Sequence, residues 1–231
     1  MTRMISALIK GGVLAGALFA SANASAQAIE RYVSVNVSNP AAFVGAFDRF
    51  RNSGVMKGST ASLWANTFDG TNPATHVIVI GYDDYEALQE TDDAVRPSRE
   101  WADYLNAIDG TNDLTALSMG VQRYASGDDW HNHGAAMVFS MVVRDAGTYA
   151  PAFAELVEST DNPGSVRLTE MRAGGEGVTH IAIITAPDFA SLNEYMDELF
   201  MSDEYAEFVA KVSDIRRIAT TSIYRRLQTW D

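Results

Sequence analysis

The strongest constraint on this chain is an internal repeat. The segment THVIVI at residues 75–80 returns as THIAII at residues 179–184, a shift of 104 positions. The register continues without a gap from residue 75 to residue 105, and ten of these 31 aligned pairs are identical. Self-similarity at a fixed spacing indicates a duplicated structural unit. We therefore predict two units of one architecture, at residues 27–125 and 135–231, joined by a linker at residues 126–134.

Each unit contains four segments with the composition of strands. The first of them alternates apolar and polar residues, as a strand does when one of its faces is buried. In the first unit the strands are predicted at residues 32–37, 61–67, 75–80 and 118–124. Their counterparts in the second unit are residues 138–143, 166–172, 179–184 and 220–226.

Helices are predicted between these strands from their start signals. Asn39 followed by Pro40 is typical of a helix cap and first turn, and Phe43, Phe47 and Phe50 then follow one helical face. Further helix starts are predicted at Asp84, Ser98, Asp188 and Ser202. Each unit therefore has the order β-α-β-β-α-β, with an extra helical piece before its last strand. This is the ferredoxin-like α+β unit, whose antiparallel sheet carries helices on one face. Two such sheets can cover each other's free faces.

The first 26 residues have the pattern of a cleavable signal peptide. Arg3 and Lys10 precede an apolar run that is too short to anchor the chain, and Ala24-Ser25-Ala26 is a small-x-small cleavage pattern. We therefore expect an exported protein without a membrane anchor, either periplasmic or secreted. The chain has no cysteine, so disulfides and thiolate chemistry are excluded.

The net charge limits the partners. The full chain carries -13, and removal of residues 1–26 takes away two positive charges and no negative ones, which leaves -15. Such a field repels nucleic acid and anionic membrane surfaces. Nucleic acid and membrane-surface partners are therefore not expected. The paired sheets instead suggest a small-molecule ligand between them, in either a monomer or a homo-oligomer of these pairs.

The order of elements resembles the dimeric α+β barrel superfamily. The Ser-x-Glu-aromatic-Ala helix starts at residues 98–102 and 202–206 add to this resemblance. The superfamily includes antibiotic-biosynthesis-type monooxygenases, NIPSNAP-like proteins, lactone isomerases and haem-binding groups such as chlorite dismutases. The resemblance implies two tandem ferredoxin-like repeats that form an intramolecular barrel. It does not assign a function, because one fold supports many chemistries.

The phase of each strand predicts which residues face the space between the sheets. In the first strands Tyr32, Ser34, Asn36 and Ser140 are expected inside. In the third strands His76 and His180 are expected inside, and the neighbouring residues Val77, Val79, Ile181 and Ile183 are expected to meet the helices. The two histidines have two interpretations, namely a shared structural role at the strand end, or a base, ligand anchor or haem ligand.

The second strand differs between the units. Ser62, Trp64 and Asn66 align with Arg167, Thr169 and Met171. Cofactor-free monooxygenases of the superfamily use tryptophan and asparagine side chains in the barrel cavity, and Trp64 and Asn66 resemble that pair in type. The alternative is a packed indole beside a solvated amide. The predicted ligand-binding set is Asn36, Ser34, Trp64, Asn66, His76, Ser140, His180 and Tyr224.

The linker contains the densest group of metal-ligand types. Asp129, His131 and His133 could share a divalent ion on an extended segment, but the longer-range spacing of a recognised site is missing, which favours a solvated linker.

The function expected from the sequence is binding of a small apolar or aromatic molecule between the sheets, without a cofactor. Two alternatives stay open. One is a cofactor-independent monooxygenase or isomerase that uses His76, Trp64 and Asn66. The other is a haem-binding barrel in which His76, His180 or a linker histidine ligates the iron.

Overall fold

The computed structural model describes residues 28–70, 72–127 and 130–230. The predicted signal peptide, Asp129 and the side chain of His131 lie outside the described part. None of the described helices is long and apolar enough to cross a membrane.

The chain folds into eight strands and six α-helices in the described ranges, in the order β-α-β-β-α-α-β twice over. The strands are β1 (Ile29–Val37), β2 (Ser59–Phe68), β3 (His76–Tyr82), β4 (Asn112–Gly127), β5 (Ala135–Val143), β6 (Ser165–Ala173), β7 (His180–Ala186) and β8 (Arg216–Trp230). The helices are α1 (Pro40–Asn52), α2 (Tyr85–Val95), α3 (Arg99–Ile108), α4 (Ala146–Glu158), α5 (Phe189–Met201) and α6 (Asp203–Val212). A short 3-10 turn, Trp130–Asn132, precedes β5.

The strands form one closed antiparallel barrel in the order β1-β3-β2-β8-β5-β7-β6-β4. Closure depends on β4 and β8, which have 16 and 15 residues and reach beyond their own sheets. In β4, Leu117 pairs with Val33 of β1, and Tyr124 further along pairs with Leu168 of β6. Closure leaves none of these strands with a free edge. The predicted fold, two ferredoxin-like repeats in an intramolecular barrel, is confirmed.

The helices begin where their caps predict. The Asn39 side chain accepts from the Ala42 N–H at 3.2 Å, and Asp84 accepts from the Ala87 N–H at 2.8 Å. Ser98, Asp188 and Ser202 cap α3, α5 and α6 in the same way. These side chains satisfy N–H groups that have no partner inside the helix.

The apolar core has three parts. Each repeat has one large cluster between its sheet and its helices. The cluster of the first repeat contains the aromatic residues Phe43, Phe47 and Phe50 of α1. The second contains Tyr149 and Phe153 of α4 at the equivalent place. The third cluster lies inside the barrel and includes Tyr32, Trp64, Val77, Val79, Ala136 and Ile183.

The predicted phase is correct for β1 and β5 and wrong for β3 and β7. Val35 and Met141 face the helices as predicted. In β3, however, Val77 and Val79 face the interior, and His76 and Ile78 face the helices. The error has a physical cause: β3 is buried on both faces, so its polarity does not alternate. The sheet register identifies the correct side, because Ile78 pairs directly with Val33.

The described residues of the segment between the units pack against the barrel, in contrast to the predicted linker. Strand β4 continues to Gly127, and Ser126 still pairs with Val166 of β6. Trp130 then packs against the inner cluster, and His133 is only 2% exposed. The solvated linker predicted at residues 126–134 is therefore wrong for these side chains, which lie against one end of the barrel.

Candidate functional site

A cavity of about 880 Å³ lies inside the barrel, between the two sheets. A volume of this size is in the range of sites for small molecules. Part of the cavity wall is aliphatic, and hydroxyl groups of several strands form another part. The aliphatic side chains are those of Val77, Val79, Val138, Ile181 and Ile183. The hydroxyl-bearing residues include Ser34, Ser118, Ser140, Thr220, Thr221 and Ser222.

The cavity has a mouth and a closed end. Because all strands are antiparallel, β2 and β6 finish at the same end of the barrel, where the loops that follow them meet. Asp69, Asn72 and Pro73 of one loop and the exposed Glu176 of the other border the cavity there, and we call this end the mouth. The opposite end, where the turn at Trp130 packs, is the closed end.

A buried ion pair lies at the closed end. Glu30 and Arg167 are 3% and 4% exposed, and an Arg167 guanidinium nitrogen, Nη1, donates to Glu30 Oε1. The Tyr32 hydroxyl and Thr169 Oγ1 both donate to Glu30 Oε2, the latter at 2.7 Å. Burial, and then the Glu30 charge, raise the pKa of Tyr32 well above its ordinary value. Tyr32 therefore stays a neutral phenol that donates its proton to Glu30.

Aromatic rings complete the closed end. The Arg167 guanidinium lies 4.0 Å from the centre of the Trp130 ring, in a cation–π contact. Trp130 in turn stacks near Trp64, with ring centres 6.2 Å apart and 21° between the planes. The Trp64 indole donates to Ser62 Oγ at 2.7 Å, so its polar atom is satisfied and its ring faces the cavity.

The ion-pair network exists in one half of the barrel alone. The repeat aligns Glu30 with Ala136 and Tyr32 with Val138 on the first strands, and Arg167 with Ser62 and Thr169 with Trp64 on the second. In the aligned repeat, each of the four polar members of the network therefore corresponds to a smaller or an apolar residue. As a result the closed end has a polar half, formed by β1 and β6, and an apolar half, formed by β5 and β2.

A second polar group lies at the mouth around Asp69. Its carboxylate accepts from Ser222 Oγ, from the Tyr224 hydroxyl at 3.2 Å and from Asn66 Nδ2 at 3.1 Å. Burial is the main cause that raises the pKa of Tyr224, and the Asp69 charge adds to it. Asp69, Ser222 and Tyr224 border the cavity.

The predicted ligand-binding residues separate into two groups. Ser34, Trp64, Ser140 and Tyr224 border the cavity, so the structure brings them together. Asn36 is exposed beyond a bulge in β1 and does not border the cavity. Whether the lining residues bind a ligand stays a prediction.

Asn66 holds the loop at the mouth. Its Nδ2 donates to Ala74 O at 2.9 Å as well as to Asp69, while its Oδ1 is buried without a hydrogen-bond partner. Asn66 is not among the residues that border the cavity. The predicted pairing of Trp64 with Asn66 in the cavity is therefore wrong, because the amide points toward the loop.

His76 and His180 lie on the helix side, so their predicted position inside the barrel is wrong. His76 Nδ1 shares a hydrogen bond of 2.8 Å with Thr75 Oγ1, and its ring lies 6.5 Å from that of Phe43. His180 makes the same contact with the preceding threonine at 3.0 Å. Burial lowers the pKa of both imidazoles. The repeated histidine is part of the packing between sheet and helix.

The predicted metal ligands of the linker do not form a described site. His133 is buried and its Nδ1 shares a hydrogen bond of 2.7 Å with Thr185 Oγ1. Asp129 and the His131 side chain lie outside the described residues. Within the described part of the chain, no three His, Cys, Asp or Glu side chains are grouped as metal ligands.

Haem does not fit the histidines that the structure describes. A haem ligand must present a ring nitrogen to a space as large as the macrocycle. His76, His133 and His180 are buried and do not border the cavity, and each has one ring nitrogen on a threonine hydroxyl. These three histidines are therefore not placed to ligate haem in this structure.

Sequence reasoning missed three residues of the site. Glu30 precedes the predicted first strand, and Asp69 follows the predicted second strand. Arg167 is the predicted counterpart of Ser62, but its sequence neighbours do not indicate its partner. A charged residue at an inward position of a buried strand is the signal that could have indicated a buried pair, because an unpaired charge there would be costly.

The overall structure is similar to several solved structures. A candidate monooxygenase from Fusobacterium nucleatum superposes with a TM-score of 0.61 and 13% identity, over 89% of this chain and 95% of that chain. An anthrone oxidase-like protein superposes with a TM-score of 0.57 and 10% identity, over 88% of this chain and 92% of that chain. A chlorite dismutase variant from Candidatus Nitrospira defluvii superposes with a TM-score of 0.53 and 9% identity, over 87% of this chain and 92% of that chain.

Comparisons of sequence give no match. No protein-family model matches the chain, and no curated protein matches it. At identities this low the structural similarity shows the fold alone, a dimeric-type α+β barrel formed by the two repeats of one chain.

Proposed function

We propose that this protein binds a small, largely apolar or aromatic molecule in the cavity between its sheets. The observation that supports this is the cavity itself, because an interior of about 880 Å³ is left open although the chain has ample apolar side chains to fill it. Its aliphatic walls favour an apolar body, and the Trp64 and Tyr224 rings favour an aromatic one.

Ligand occupancy is tested by filling the cavity. Val138→Phe places a larger side chain in the lining, and Leu114→Phe makes a similar change at an exposed position of β4. With 2-naphthol as the probe, titration should show binding to the wild type and a loss of about tenfold or more in Val138→Phe alone. Native mass spectrometry of protein from its own host would identify a retained molecule. If Val138→Phe binds as well as the wild type, the cavity is not the site.

A second candidate function is cofactor-independent oxygenation of such a molecule. It is favoured by the similarity to structures named as a monooxygenase and as an anthrone oxidase-like protein. The chain offers Trp64 and Tyr32 to hold an aromatic ring and the Asp69 carboxylate at the mouth to accept a proton. This candidate requires turnover, whereas binding alone does not.

Oxygen uptake separates the two functions. The wild type is incubated with a series of phenols and quinols, and Trp64→Phe and Asp69→Asn are compared with it. Oxygenation requires uptake by the wild type and a loss in both variants. A wild type that binds these compounds without consuming oxygen has the binding function alone.

Export is part of the proposal as well. The N-terminal pattern in residues 1–26 supports it. Fractionation of the host and N-terminal sequencing should place the mature chain outside the cytoplasm, beginning at Gln27; an intact Met1 in the cytoplasm would refute it.

A further inference from the structure

The closed end contains a buried guanidinium that is only partly satisfied. Arg167 borders the cavity and is 4% exposed, and its Nη1 is bound to Glu30. Its Nε is buried without a hydrogen-bond partner. Glu30 therefore satisfies only part of the guanidinium, and a ligand oxygen that accepted from an N–H group of Arg167 at the cavity wall would satisfy it further.

The charges around the cavity disfavour an anion as that ligand. Glu30 neutralises Arg167 at close range, and Asp69 and Glu176 border the mouth as acids. The described lining therefore has more negative than positive charges, and the protein as a whole carries -13. An incoming carboxylate would be repelled and would lose its hydration. A neutral oxygen acceptor avoids both penalties.

The two halves of the closed end also set an orientation. Arg167, Tyr32 and Thr169 are on the polar half, whereas Trp64, Val138 and Ala136 are on the apolar half. A molecule with a polar group on one edge and an apolar face can satisfy both halves in one pose only.

We infer that Arg167 is a specificity-determining residue that selects neutral aromatic ligands with a carbonyl oxygen and binds that oxygen at the closed end. This inference rests on the proposed ligand-binding function. Glu30 and Tyr32 act as positioning residues. Glu30 holds the guanidinium of Arg167 and neutralises its charge, and the Tyr32 hydroxyl donates to Glu30. The aromatic body lies against Trp64, and the open part of the cavity toward the mouth accommodates substituents.

Three probes of nearly equal shape test this inference. They are 2-acetylnaphthalene, which has a neutral carbonyl, 2-ethylnaphthalene, which has no acceptor, and 2-naphthoate, which is an anion. Calorimetric titration of the full mature protein should give the ketone an affinity at least about tenfold above those of the other two, as expected for a hydrogen bond to a charged donor.

Variants then assign the preference to Arg167. Arg167→Lys keeps the charge but removes the guanidinium N–H groups that Glu30 does not bind. Glu30→Gln with Arg167→Gln removes both charges together, so that none is left unpaired. Arg123→Gln is the matched control, because Arg123 pairs with Glu170 of the same strand β6 and does not border the cavity. Circular dichroism verifies that each variant is folded.

The preference for the ketone over the hydrocarbon should fall by about tenfold in Arg167→Lys and in the double variant, and persist in Arg123→Gln. Equal wild-type affinities for ketone and hydrocarbon would overturn the inference and leave the binding function intact. A preference for the ketone that survives in the folded Arg167→Lys protein would also overturn it, and so would tighter binding of the naphthoate. Binding of none of the three probes counts against the proposed function itself, and the inference falls with it.

Discussion

The helix-facing and cavity-facing sides of the barrel differ in how far the two repeats have diverged. On the helix side, Thr75 and His76 recur as Thr179 and His180 with nearly the same contacts. The Val37 N–H donates to Thr75 Oγ1 at 2.8 Å, and the Val143 N–H donates to Thr179 Oγ1 at 2.8 Å. On the cavity side, the four members of the Glu30 network have no polar equivalent with the same role in the other half.

This difference teaches which positions support the fold and which support a site. Each sheet must pack its own helices, so both copies need the same contact at the end of the third strand. The two sheets share one cavity, so one asymmetric set of polar groups is sufficient for one ligand. Repetition of a residue is therefore evidence of architecture in this chain, and its loss from one copy indicates a candidate site.

The largest expected effect concerns the buried ion pair. Arg167→Leu removes the partner of Glu30 and leaves a buried carboxylate, which should cost about 3–5 kcal/mol of unfolding free energy. Urea denaturation measures it. Arg123→Gln breaks the half-buried pair with Glu170 and should cost only about 0–1 kcal/mol. Equal effects of the two variants would contradict a special role of the asymmetric pair.

A smaller and symmetric effect is expected for the threonines. Thr75→Val and Thr179→Val each remove the acceptor of one strand N–H and the partner of one imidazole, which should cost about 1–3 kcal/mol. Chemical denaturation should give similar values for the two variants. If only one of them is destabilised, the shared structural role is wrong.

Substitutions on the cavity side should change the affinity for a ligand, and substitutions on the helix side should not. Trp64→Phe reduces the aromatic wall of the cavity and should weaken 2-naphthol binding by about tenfold, or 1.4 kcal/mol. His76→Gln should leave the affinity unchanged, because His76 faces α1. Trp101→Phe on the outer helix α3 is the control for the loss of an indole. A weaker affinity of the His76→Gln variant for 2-naphthol would contradict this position and would indicate that His76 contributes to the ligand site.

The smallest effect is a dependence of stability on pH. Burial lowers the pKa of His76 and His180 below the ordinary value of 6.5, so the unfolded chain binds more protons than the folded one just below pH 6.5. The stability that these neutral imidazoles contribute is complete above pH 6.5 and is lost as the pH falls through the folded pKa values. Urea denaturation from pH 7.5 to pH 5 measures this loss, and the double variant His76→Gln, His180→Gln should reduce it.

Local patterns predicted much of the fold. The caps at Asn39, Asp84 and Asp188 depend on neighbouring residues alone, and the structure has helix starts at all three. Strands β4 and β8 extend beyond their predicted bounds at both ends. Their first residues pair with β1 and β5 of their own sheets, and their last residues pair with β6 and β2 of the opposite sheets. A partner that comes from the other repeat leaves no local signal in the strand that it extends.

The candidate site was predicted less completely than the fold. Ser34 and Ser140 could be placed in the cavity from strand phase, and Trp64 from its resemblance to the superfamily's cavity residues. These three residues border the cavity, as does the predicted Tyr224. The direction of the His76 side chain could not be predicted. Both faces of β3 are buried, so the alternation of polar and apolar residues does not show which face points into the barrel.

The sequence by itself determined the duplication, the order of the elements and the ferredoxin-like unit, since these follow from hydrophobic periodicity and capping within short stretches. Only the tertiary structure decided that Glu30 meets Arg167, which is 137 residues away. The same holds for the direction in which the two histidines point. Both depend on which strands pair and in which register, and pairing joins residues that are distant in sequence.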